Sequence, residues 1–361
     1  MNLNLLEYKE TSTERLEAYL NRYSDLDKRI EAFKDQRFYS LEVELTNRCN
    51  RECNYCYNSS CFASRQPDLP FEIVQKNLMD AYRYGMKSIA WLGGEPTLYP
   101  EIDKVLAVSK SFGFENILFT NGSLLAPELW ERIGPTVDRI MLHLDTIDEE
   151  TFIKLNRISV EESRRIFDQT LKNIDNILNC GFDPDKISLY MVLSRPTFKT
   201  IDRSLSWAIS EKGFGTTMLY PMVRAGRGKN VDPDTSLNVQ EIKEAFEIRA
   251  QIEGRPELLL LGPSEYCKHY QLTMAYVRVD GQVTPYAGMP GGDGNVFEEP
   301  LSSILERNYK ELSFQDLVGP DGTNRLEGMC GVCSNSEFCF GTRTSALNEA
   351  GSECLSDPFC W

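Results

Sequence analysis

Long hydrophobic runs are missing from this sequence. None of its 361 residues lies in a stretch that approaches the roughly 20 apolar residues of a transmembrane helix. The segment from Met1 to Glu10 carries two acidic residues and one Lys, without the apolar core of a signal peptide. These absences predict a cytoplasmic protein.

Basic residues are also scarce. There are 39 Lys and Arg residues against 54 Asp and Glu residues, for a formal net charge of −15. Because nucleic acids and anionic membrane surfaces bind concentrated Lys and Arg, neither is expected as the main partner. The hydrophobic content of 41% supports a full core, and the length suits one large domain plus a smaller one.

Cysteine is abundant. In a reducing cytoplasm the eleven cysteines indicate metal ligands rather than disulfides. Cys49, Cys53 and Cys56 stand at spacings of four and three, directly after an apolar strand. A tight loop of this spacing can wrap three thiolates round a four-iron cluster and leave one iron open. Cys61 is the alternative fourth ligand, but it precedes Phe62, whereas the bacterial ferredoxin run ends in a cysteine followed by proline.

An open iron can bind and reduce a small molecule, and S-adenosylmethionine can chelate it through its amino and carboxylate groups. The cysteine loop, with Tyr55 before its third cysteine, resembles the signature of the radical SAM superfamily. The run from Gly93 to Pro96 is similar to that family's second motif. The resemblance implies that Cys49, Cys53 and Cys56 ligate the cluster. It also implies that the second motif meets the amino group of the cofactor, through Gly93, Gly94, Glu95 and Pro96.

Strands and helices alternate from Tyr39 to Glu253. The predicted strands cover Tyr39 to Leu45, Ser88 to Leu92, Asn116 to Thr120, Arg139 to Leu144, Ile187 to Leu193 and Thr216 to Pro221. The predicted helices cover Phe71 to Tyr84, Glu101 to Phe112, Ala126 to Ile133, Val160 to Leu178, Ile201 to Glu211 and Val239 to Glu253. Six such units predict an α/β fold with a parallel sheet covered by helices. The resemblance implies a partial (βα)6 TIM-like barrel with its chemistry at the carboxyl ends of the strands.

Polar residues follow several of these strands, where they would meet a nucleoside. The resemblance implies cofactor contacts from the strand ends and from an arginine a dozen residues beyond the fourth strand. These residues are Tyr55, Asn121, His143, Asp145, Arg157, Leu193 and Ser194. His143 stands where the family more often has serine, so a packed strand-end histidine and a ribose or substrate contact both stay open.

A Gly-rich basic loop, from Pro221 to Lys229, follows the sixth strand. It is either a solvated turn or a substrate contact at the mouth of the barrel, in which Arg224 or Arg227 holds an acidic group.

Three segments are predicted. Residues 1–37 form a helical lead-in that either rests on the domain body or closes over a substrate, and residues 38–254 form the barrel. Residues 255–361, where the composition shifts to Gly, Pro and Cys, form a small cysteine-rich α+β domain with a hairpin over Tyr276 to Pro285.

The C-terminal cysteines have a metal-binding spacing, for which zinc is one reading. With the hairpin, they resemble the auxiliary-cluster domain called SPASM, or its shorter twitch relative. Two ligands of that domain's first cluster are replaced, by Tyr286 or Ala287 and by Arg343. The resemblance therefore implies one auxiliary 4Fe–4S cluster rather than two. Its ligands would be Cys330, Cys333, Cys339 and Cys360.

The remaining cysteines either compete for a place among these four ligands or fall outside the set. Cys354 competes with Cys360 as the fourth ligand, and Cys267 is left over as a possible metal ligand with His269 nearby. Cys61 and Cys180 are interpreted as ordinary thiols.

The resemblance implies reductive cleavage of S-adenosylmethionine to a 5′-deoxyadenosyl radical that abstracts a substrate hydrogen, with a reductase, flavodoxin or ferredoxin as electron donor. The favoured substrate is a peptide, modified by a crosslink, a thioether or epimerisation. The alternatives are oxidation or rearrangement of a small metabolite such as an amino sugar, and a non-catalytic iron–sulfur electron carrier or redox sensor.

Overall fold

Six parallel strands, arranged in chain order, form most of one eight-stranded sheet. The computed structural model describes residues 17, 18, 25–289, 292, 294–319 and 323–361. The strands are β1 (Ser40–Glu44), β2 (Ser88–Leu92), β3 (Glu115–Thr120), β4 (Arg139–His143), β5 (Ile187–Leu193), β6 (Thr216–Pro221), β7 (Met274–Val277) and β8 (Val283–Thr284). Their order across the sheet is β6-β5-β4-β3-β2-β1-β7-β8. The predicted α/β fold with a parallel sheet is confirmed.

Helices cover the outer face of the sheet. The α-helices are α1 (Leu26–Lys34), α2 (Phe71–Tyr84), α3 (Ile102–Ser111), α4 (Pro127–Ile133), α5 (Glu149–Leu155), α6 (Val160–Asn179), α7 (Arg195–Phe198), α8 (Ile201–Ser206), α9 (Val239–Glu253), α10 (Lys268–Leu272), α11 (Leu301–Arg307), α12 (Tyr309–Leu312), α13 (Met329–Val332) and α14 (Arg343–Ser345). None of the helices in the described ranges is long and apolar enough to cross a membrane.

Helix α6 shows why the sequence folds locally as it does. The Ser159 side chain accepts a hydrogen bond from the Glu162 backbone N–H (3.1 Å) and so caps the first turn. Ile166, Ile174 and Ile177 recur on one face and are buried against the sheet. Helix α5 is absent from the predicted set: it has seven residues, like α4, but lacks the Pro in the first turn that marks where α4 begins.

The alternation of side chains within the strands decides what faces the barrel interior. In β1, Leu41 and Val43 pack in the main hydrophobic core, whereas Glu42 lines an internal cavity. Successive side chains of a strand point to opposite faces, so the acidic residues of β1 lie on the inner face. The carboxyl ends of the parallel strands lie together at one end of the barrel.

The predicted hairpin is present and joins the main sheet. β7 pairs in parallel with β1, and β8 pairs antiparallel with β7. The strands begin at Met274 rather than at Tyr276 and enclose the turn at Gly281, which has φ +83°. Beyond β8 a second hydrophobic cluster forms round Phe314 and Phe340. The C-terminal segment is therefore held directly against the first strand of the barrel.

The N-terminal helix α1 rests on the body of the protein. The guanidinium of Arg29 donates to Ser40 Oγ (3.1 Å) and to Thr273 Oγ1 (3.3 Å). These bonds tie α1 to the start of β1 and to the segment before β7. Of the predicted lead-in over residues 1–37, residues 1–16 and 19–24 lie outside the described residues.

Candidate active site

A cavity of about 300 Å³ opens at the carboxyl ends of the barrel strands. Its upper wall is formed by the cysteine loop after β1 and by the loop after β2. Its floor is formed by side chains from within the strands, and its far wall comes from the C-terminal segment. The residues of that far wall are Tyr286, Ala287, Gly288, Thr342, Thr344 and Ser345.

Cys49, Cys53 and Cys56 all line this cavity. The backbone N–H of Arg51 donates to Cys49 Sγ (3.4 Å), a bond that favours a thiolate at that sulfur. Burial raises the pKa of the Cys49 thiol, and the nearby Cys53 raises it further. A bound metal reverses this preference because it holds a cysteine as its thiolate. Three thiols are thus held in one loop on one wall.

The cysteine loop is held from two sides. On one side, the backbone N–H of Asn54 donates to the Leu155 carbonyl at the end of α5 (2.9 Å). On the other, Arg227 donates from Nε to the Cys53 carbonyl (2.8 Å) and from its backbone N–H to the Cys56 carbonyl (2.9 Å). These contacts set the shape of the loop without using any thiol.

Glycine at position 226 is required by this packing. A Cβ atom on Gly226 would lie 2.1 Å from the Tyr57 carbonyl oxygen and 2.5 Å from the Cys56 carbonyl oxygen. Gly226 also has φ +50°, which glycine adopts without strain. The basic loop after β6 therefore packs against the cysteine loop and hydrogen-bonds to it, rather than being a solvated turn. Arg224 of that loop pairs with Glu349 (3.7 Å) and does not line the cavity.

The loop after β2 is fitted against the residues that lead into the cysteine loop. The backbone N–H of Gly94 donates to the Thr46 carbonyl (2.6 Å), and that of Glu95 donates to the Arg48 carbonyl (2.8 Å). A Cβ on Gly94 would lie 2.3 Å from the Arg48 carbonyl oxygen. Gly93, Gly94 and Glu95 line the cavity, whereas the buried Pro96 begins the short turn behind them.

The carboxylate of Glu95 is saturated by protein donors. It accepts from Thr97 Oγ1 (2.6 Å), Thr120 Oγ1 (2.7 Å) and the backbone N–H groups of Thr97 (3.2 Å) and Asn121 (2.7 Å). Burial raises the pKa of Glu95, and these hydrogen bonds act in the opposite direction. Through these hydrogen bonds Glu95 joins the end of β2 to the end of β3.

Asn121 links the cysteine loop to the end of β3. Its Nδ2 donates to Asn50 Oδ1 (2.9 Å), and its Oδ1 accepts from the Ser123 hydroxyl (2.6 Å). The Asn50 amide donates in turn to Ser123 Oγ (2.8 Å). Asn121 lies in the cavity wall with the cysteines.

Asp145 is the centre of a buried polar group at the end of β4. Its carboxylate accepts from the Tyr55 hydroxyl and from the Val192 backbone N–H (2.8 Å), and lies 3.2 Å from His143 Nε2. Arg51 pairs with it at 3.5 Å. Burial favours a higher pKa for Asp145, but His143, Arg51 and Tyr55 together lower the pKa to about 2. Asp145 is therefore ionised at neutral pH.

His143 faces the cavity from this group, whereas Asp145 stands behind it. One ring nitrogen of His143 is held by the carboxylate, which leaves the other ring nitrogen for a ligand. The geometry matches a cavity contact oriented by Asp145 rather than a packed core histidine.

Besides Pro96 and Asp145, which stand behind the cavity wall, the predicted cofactor contacts Arg157, Leu193 and Ser194 do not line the cavity. Arg157 is exposed, and its backbone N–H donates to the Glu52 carbonyl (2.9 Å). Leu193 and Ser194 are buried, and Ser194 starts helix α7. The neighbouring Val192 lines the cavity instead. Side chains alternate along a strand, so a shift of one residue exchanges the cavity face for the core face.

Several cavity residues were not singled out from the sequence. They come from inner-face positions of the strands and from the C-terminal segment, and include Glu42, Phe119, Tyr190, Tyr220, Tyr266 and Met274. The alternation of side chains between the two faces of β1 and β5 was the sequence signal that could have identified those on these strands. Tyr286 and Ala287, which replace ligands of the resembling domain, line the cavity, whereas Arg343 is buried and donates to the Glu353 carbonyl (2.6 Å).

The C-terminal cysteines form a second group, which does not line the cavity. Burial raises the pKa of the Cys339 thiol, and the charges of Cys360 and Cys330 raise it further. The pKa of Cys360 is raised by burial of its thiol, then by Asp357, Cys330 and Cys333. Cys330, Cys333, Cys339 and Cys360 thus lie close enough for their charges to act on one another.

Backbone N–H groups donate to three sulfurs of this group, each at 3.4 Å. The acceptors are Cys330, Cys333 and Cys339. Cys267 is fully buried in a neighbouring apolar cluster that Cys339 also contacts. His269 is half-buried and lies edge-on to Phe33, with ring centroids 5.9 Å apart. Cys61 accepts a backbone bond from Cys49 through its carbonyl, and the exposed Cys180 ends α6.

The two groups of cysteine thiols suit an iron–sulfur cluster better than a single metal ion. Within the described ranges, no three His, Cys, Asp or Glu side chains form a group that could hold a metal ion. A cubane places its four irons at separate corners, so its thiolates surround it rather than converge on one point. Arg227 Nη2 is buried without a hydrogen-bond partner among the described residues, beside the cysteine loop. Three thiols, this orphan donor and the closely packed Gly94 fit an iron–sulfur cluster with an amino-acid cofactor.

Comparison with known proteins agrees with this site. Residues 43–208 match the family model described as the Radical SAM superfamily. The AdoMet-dependent heme synthase of Methanosarcina barkeri is 24% identical over 352 residues, covering 88% of this chain and 94% of that protein. A probable GTP 3′,8-cyclase of Sulfurisphaera tokodaii is 25% identical over 287 residues, covering 78% of this chain and 85% of that protein.

Solved structures share the fold. Streptococcus suis SuiB bound to its precursor peptide SuiA superposes with a TM-score of 0.66 at 16% identity, covering 92% of this chain and 79% of that chain. The structure of anSMEcpe with bound AdoMet has a TM-score of 0.66 at 16% identity, covering 89% of this chain and 94% of that chain. Both likenesses extend beyond the residues that the family model matches.

Proposed function

The chain carries a radical SAM domain and is an S-adenosylmethionine-dependent enzyme of that superfamily; from this premise we propose that it abstracts hydrogen from a peptide and so modifies it. The family implies a 4Fe–4S cluster and S-adenosylmethionine. We propose Cys49, Cys53 and Cys56 as the cluster ligands. The observation that carries the proposal is the presence of these three thiols with Gly94 and Arg227 on the wall of one cavity.

When bound, the cluster and S-adenosylmethionine supply a radical able to take a hydrogen atom from an unactivated carbon. The protein's own residues position the cofactor and shield the reaction from water. Arg227 Nη2 offers a donor for the cofactor carboxylate, and the Gly93 and Gly94 backbone offers a close approach for its ammonium. Glu95 supports this loop from behind through its four hydrogen bonds.

His143 and Asp145 serve the other side of the cofactor. Asp145 holds the His143 ring (3.2 Å) toward the cavity, and it also holds the Tyr55 hydroxyl. A ring fixed in this way can donate to a ribose hydroxyl or hold a proton at its free nitrogen. The exposed Arg157 has a smaller part in this proposal than the sequence suggested.

A peptide substrate is supported by the far wall of the cavity. Thr342, Thr344 and Ser345 present hydroxyl groups that can donate to and accept from a peptide backbone. Their segment carries the auxiliary cysteines, and the structural neighbour SuiB was solved with its precursor peptide. A peptide segment lying along this wall would present one side chain to the cavity.

A small metabolite is the second candidate. Sequence relatives aligned over most of the chain are named for heme synthesis and for cyclisation of GTP. The cavity volume of about 300 Å³ is at the small end of the range for small-molecule sites, which runs from roughly 300 to 1,000 Å³. A compact substrate would fill the space that the cofactor leaves.

We further propose that residues 255–361 form an auxiliary domain whose Cys330, Cys333, Cys339 and Cys360 hold one 4Fe–4S cluster. With four protein ligands such a cluster exchanges electrons rather than binding substrate. A reductase, flavodoxin or ferredoxin would supply the electrons.

The test is formation of 5′-deoxyadenosine from S-adenosylmethionine by the anaerobically purified, reduced protein. We expect product from the wild type and none from the Cys49/Cys53/Cys56→Ala triple variant. A wild type that binds iron but never forms 5′-deoxyadenosine is an electron carrier or sensor, and the proposal fails. Incubation with short peptides encoded beside the gene, followed by mass spectrometry for loss of hydrogen or a crosslink, separates the peptide from the metabolite reading.

A further inference from the structure

Glu42 is a buried carboxylate that faces the floor of the cavity. Its exposed fraction is 9%, and it lines the same cavity as the three cysteines. Its carboxylate makes no hydrogen bond with any residue that the structure describes. Glu44, two residues along the same face, accepts from Asn58 and from the Val279 backbone N–H (3.1 Å). Glu42 is the acid of this strand that lacks such partners within the described ranges.

The position of Glu42 places it below the proposed cofactor site. It lies two residues before Glu44, roughly 7 Å deeper along β1 at the usual rise of about 3.3 Å per residue. It stands in register with Ala90 of β2 and Tyr276 of β7. A second cavity of about 200 Å³ enters from the opposite end of the barrel and is also lined by Glu42. The carboxylate therefore stands where the two cavities meet.

Aromatic side chains surround this carboxylate. Tyr190 and Tyr220 stack with their ring centroids 4.2 Å apart, and Phe119 completes the wall. Tyr57 and Tyr276 lie close enough for the charge of Glu42 to raise their pKa, after burial and other nearby groups. Aromatic ring faces attract cations, most strongly where water is excluded. The floor thus combines one carboxylate with several ring faces.

Arg29 is the cation that acts on the pKa of Glu42, but its guanidinium is paired with other groups. Arg29 lowers the pKa of Glu42, but its guanidinium pairs with Asp25 (2.9 Å) and donates to Ser40 Oγ (3.1 Å). It also lies 3.8 Å from the centroid of the Tyr270 ring. Burial is the larger influence and raises the pKa of Glu42 to about 7. A carboxyl held in this condition gains most from a ligand that brings its own positive charge.

We propose that Glu42 recognises a cationic nitrogen of the substrate, a primary amine carried on an apolar or aromatic stem. The ammonium would meet the carboxylate at the floor while the stem lies along Phe119 and Tyr190. This inference rests on the proposed function, because it takes the cavity to be where the substrate binds. It deepens that proposal by naming the substrate's chemical class. The amino group of S-adenosylmethionine is assigned to the Gly93–Gly94 loop, at the level of the thiols.

Binding of two matched probes tests the assignment. Benzylamine is the cationic probe and benzyl alcohol the neutral one, each titrated calorimetrically into the anaerobic, cluster-loaded full chain. We expect Glu42→Gln to weaken benzylamine binding roughly tenfold or more, because the ammonium then meets a neutral amide oxygen instead of a charged carboxylate. The same variant should leave benzyl alcohol binding within about twofold. Glu131→Gln, on the exposed side of α4, is the control and should change neither.

Two results would overturn the proposal. One is equal benzylamine affinity in wild type and Glu42→Gln; the other is a wild type that binds benzyl alcohol as tightly as benzylamine. 5′-Deoxyadenosine formation is measured in the same wild-type preparation, and its absence counts against the proposed function alone. Amine binding reports on Glu42 whether or not that product forms.

A wild-type measurement keeps the test valid if Glu42→Gln does not fold. Dicyclohexylcarbodiimide modifies carboxyl groups in apolar surroundings, and peptide mass spectrometry locates the adduct. N,N-dimethylbenzylamine is the protecting probe, since a tertiary amine is cationic yet cannot be acylated. We expect it to reduce modification of Glu42 at least tenfold, whereas benzyl alcohol does not. Equal modification with both probes would contradict the proposal.

Discussion

Arg51 and Asp145 form an ion pair inside the barrel, with Nη2 3.5 Å from Oδ2 and side-chain exposures of 2% and 0%. The pair joins the cysteine loop to the end of β4. Arg51 also donates to the His143 carbonyl (3.1 Å) and lies 4.6 Å from the centroid of the Phe152 ring. A charged residue of the cysteine loop is thus used to anchor that loop.

Asp145→Asn should destabilise the protein strongly, because it leaves the Arg51 guanidinium buried without a counter-charge. Loss of one partner of a buried pair costs about 3–5 kcal/mol. Urea unfolding followed by circular dichroism measures the change. The control is Asp175→Asn, whose carboxylate is half exposed and pairs with Lys212; it should cost less than about 1 kcal/mol. Equal unfolding midpoints for the two variants would refute this role of Asp145.

Glu42→Gln should change how stability depends on pH. The pKa of Glu42 is raised from 4.5 to about 7 in the folded chain. As pH rises from about 4.5, the unfolded chain loses this proton first, so the wild type loses stability until about pH 7. The full penalty is on the order of 3 kcal/mol, and the Gln variant does not carry it. Above pH 7 the difference between the two proteins should stay constant.

The measurement is the urea midpoint of wild type, Glu42→Gln and Glu131→Gln at several pH values from 5 to 8. The stability gained by Glu42→Gln should grow with pH up to about pH 7 and then stay constant, while Glu131→Gln stays parallel to the wild type. If Glu42→Gln also runs parallel to the wild type, Glu42 is not held neutral by its surroundings.

Glu95→Gln should lower both stability and cofactor affinity. A glutamine presents one donor group where four donors now point at a carboxylate, so the ends of β2 and β3 separate. Each lost charged hydrogen bond costs about 1.5–3 kcal/mol. Equilibrium dialysis of S-adenosylmethionine should show roughly tenfold weaker binding, since Gly94 moves with the loop. Thr97→Val, which removes a single hydroxyl donor, should show a smaller loss of both; equal losses would argue against the saturated carboxylate as the cause.

The fourth ligand of the auxiliary cluster can be identified by iron content. The Cys49/Cys53/Cys56→Ala triple variant should keep about four irons per chain and the wild type about twice that. Adding Cys360→Ala should remove the remaining iron, because Cys360 groups with Cys330, Cys333 and Cys339. Adding Cys354→Ala should not. A triple variant that holds no iron would make these cysteines zinc ligands or plain thiols, and the reverse pattern would assign the fourth ligand to Cys354.

The barrel strands were predictable because each is a short apolar run closed by a turn. Ser88–Leu92, Ile187–Leu193 and Thr216–Pro221 have the predicted bounds, the third and fourth strands differ by one residue at one end, and the first strand differs by one residue at each end. Helix Ile201–Ser206 is shorter than predicted because its last turn becomes a π-helix over Trp207–Glu211. Local periodicity does not register such a change, since both forms are helical in their apolar pattern.

The site was predictable wherever residues are adjacent in the chain. The cysteine loop and the Gly93–Pro96 run are contiguous motifs, so their residue types and spacing indicate their chemistry directly. Leu193 stands one position beyond the cavity residue Val192, and Ser194 stands two positions beyond it, past the end of the strand, where it starts helix α7. The period of a strand is two, so an error of one position exchanges its two faces.

Sequence alone determined the parallel α/β order and the presence of a three-thiol loop beside a glycine-rich turn, because both depend on local pattern. Only the tertiary structure decided which distant groups meet. It brings Arg227 onto the cysteine loop across 174 positions, sets Tyr286 and Thr344 against the barrel mouth, and leaves Glu42 at the floor without a hydrogen-bond partner among the residues it describes. These outcomes depend on strand register and on packing between elements far apart in the chain, for which no local residue pattern carries a signal.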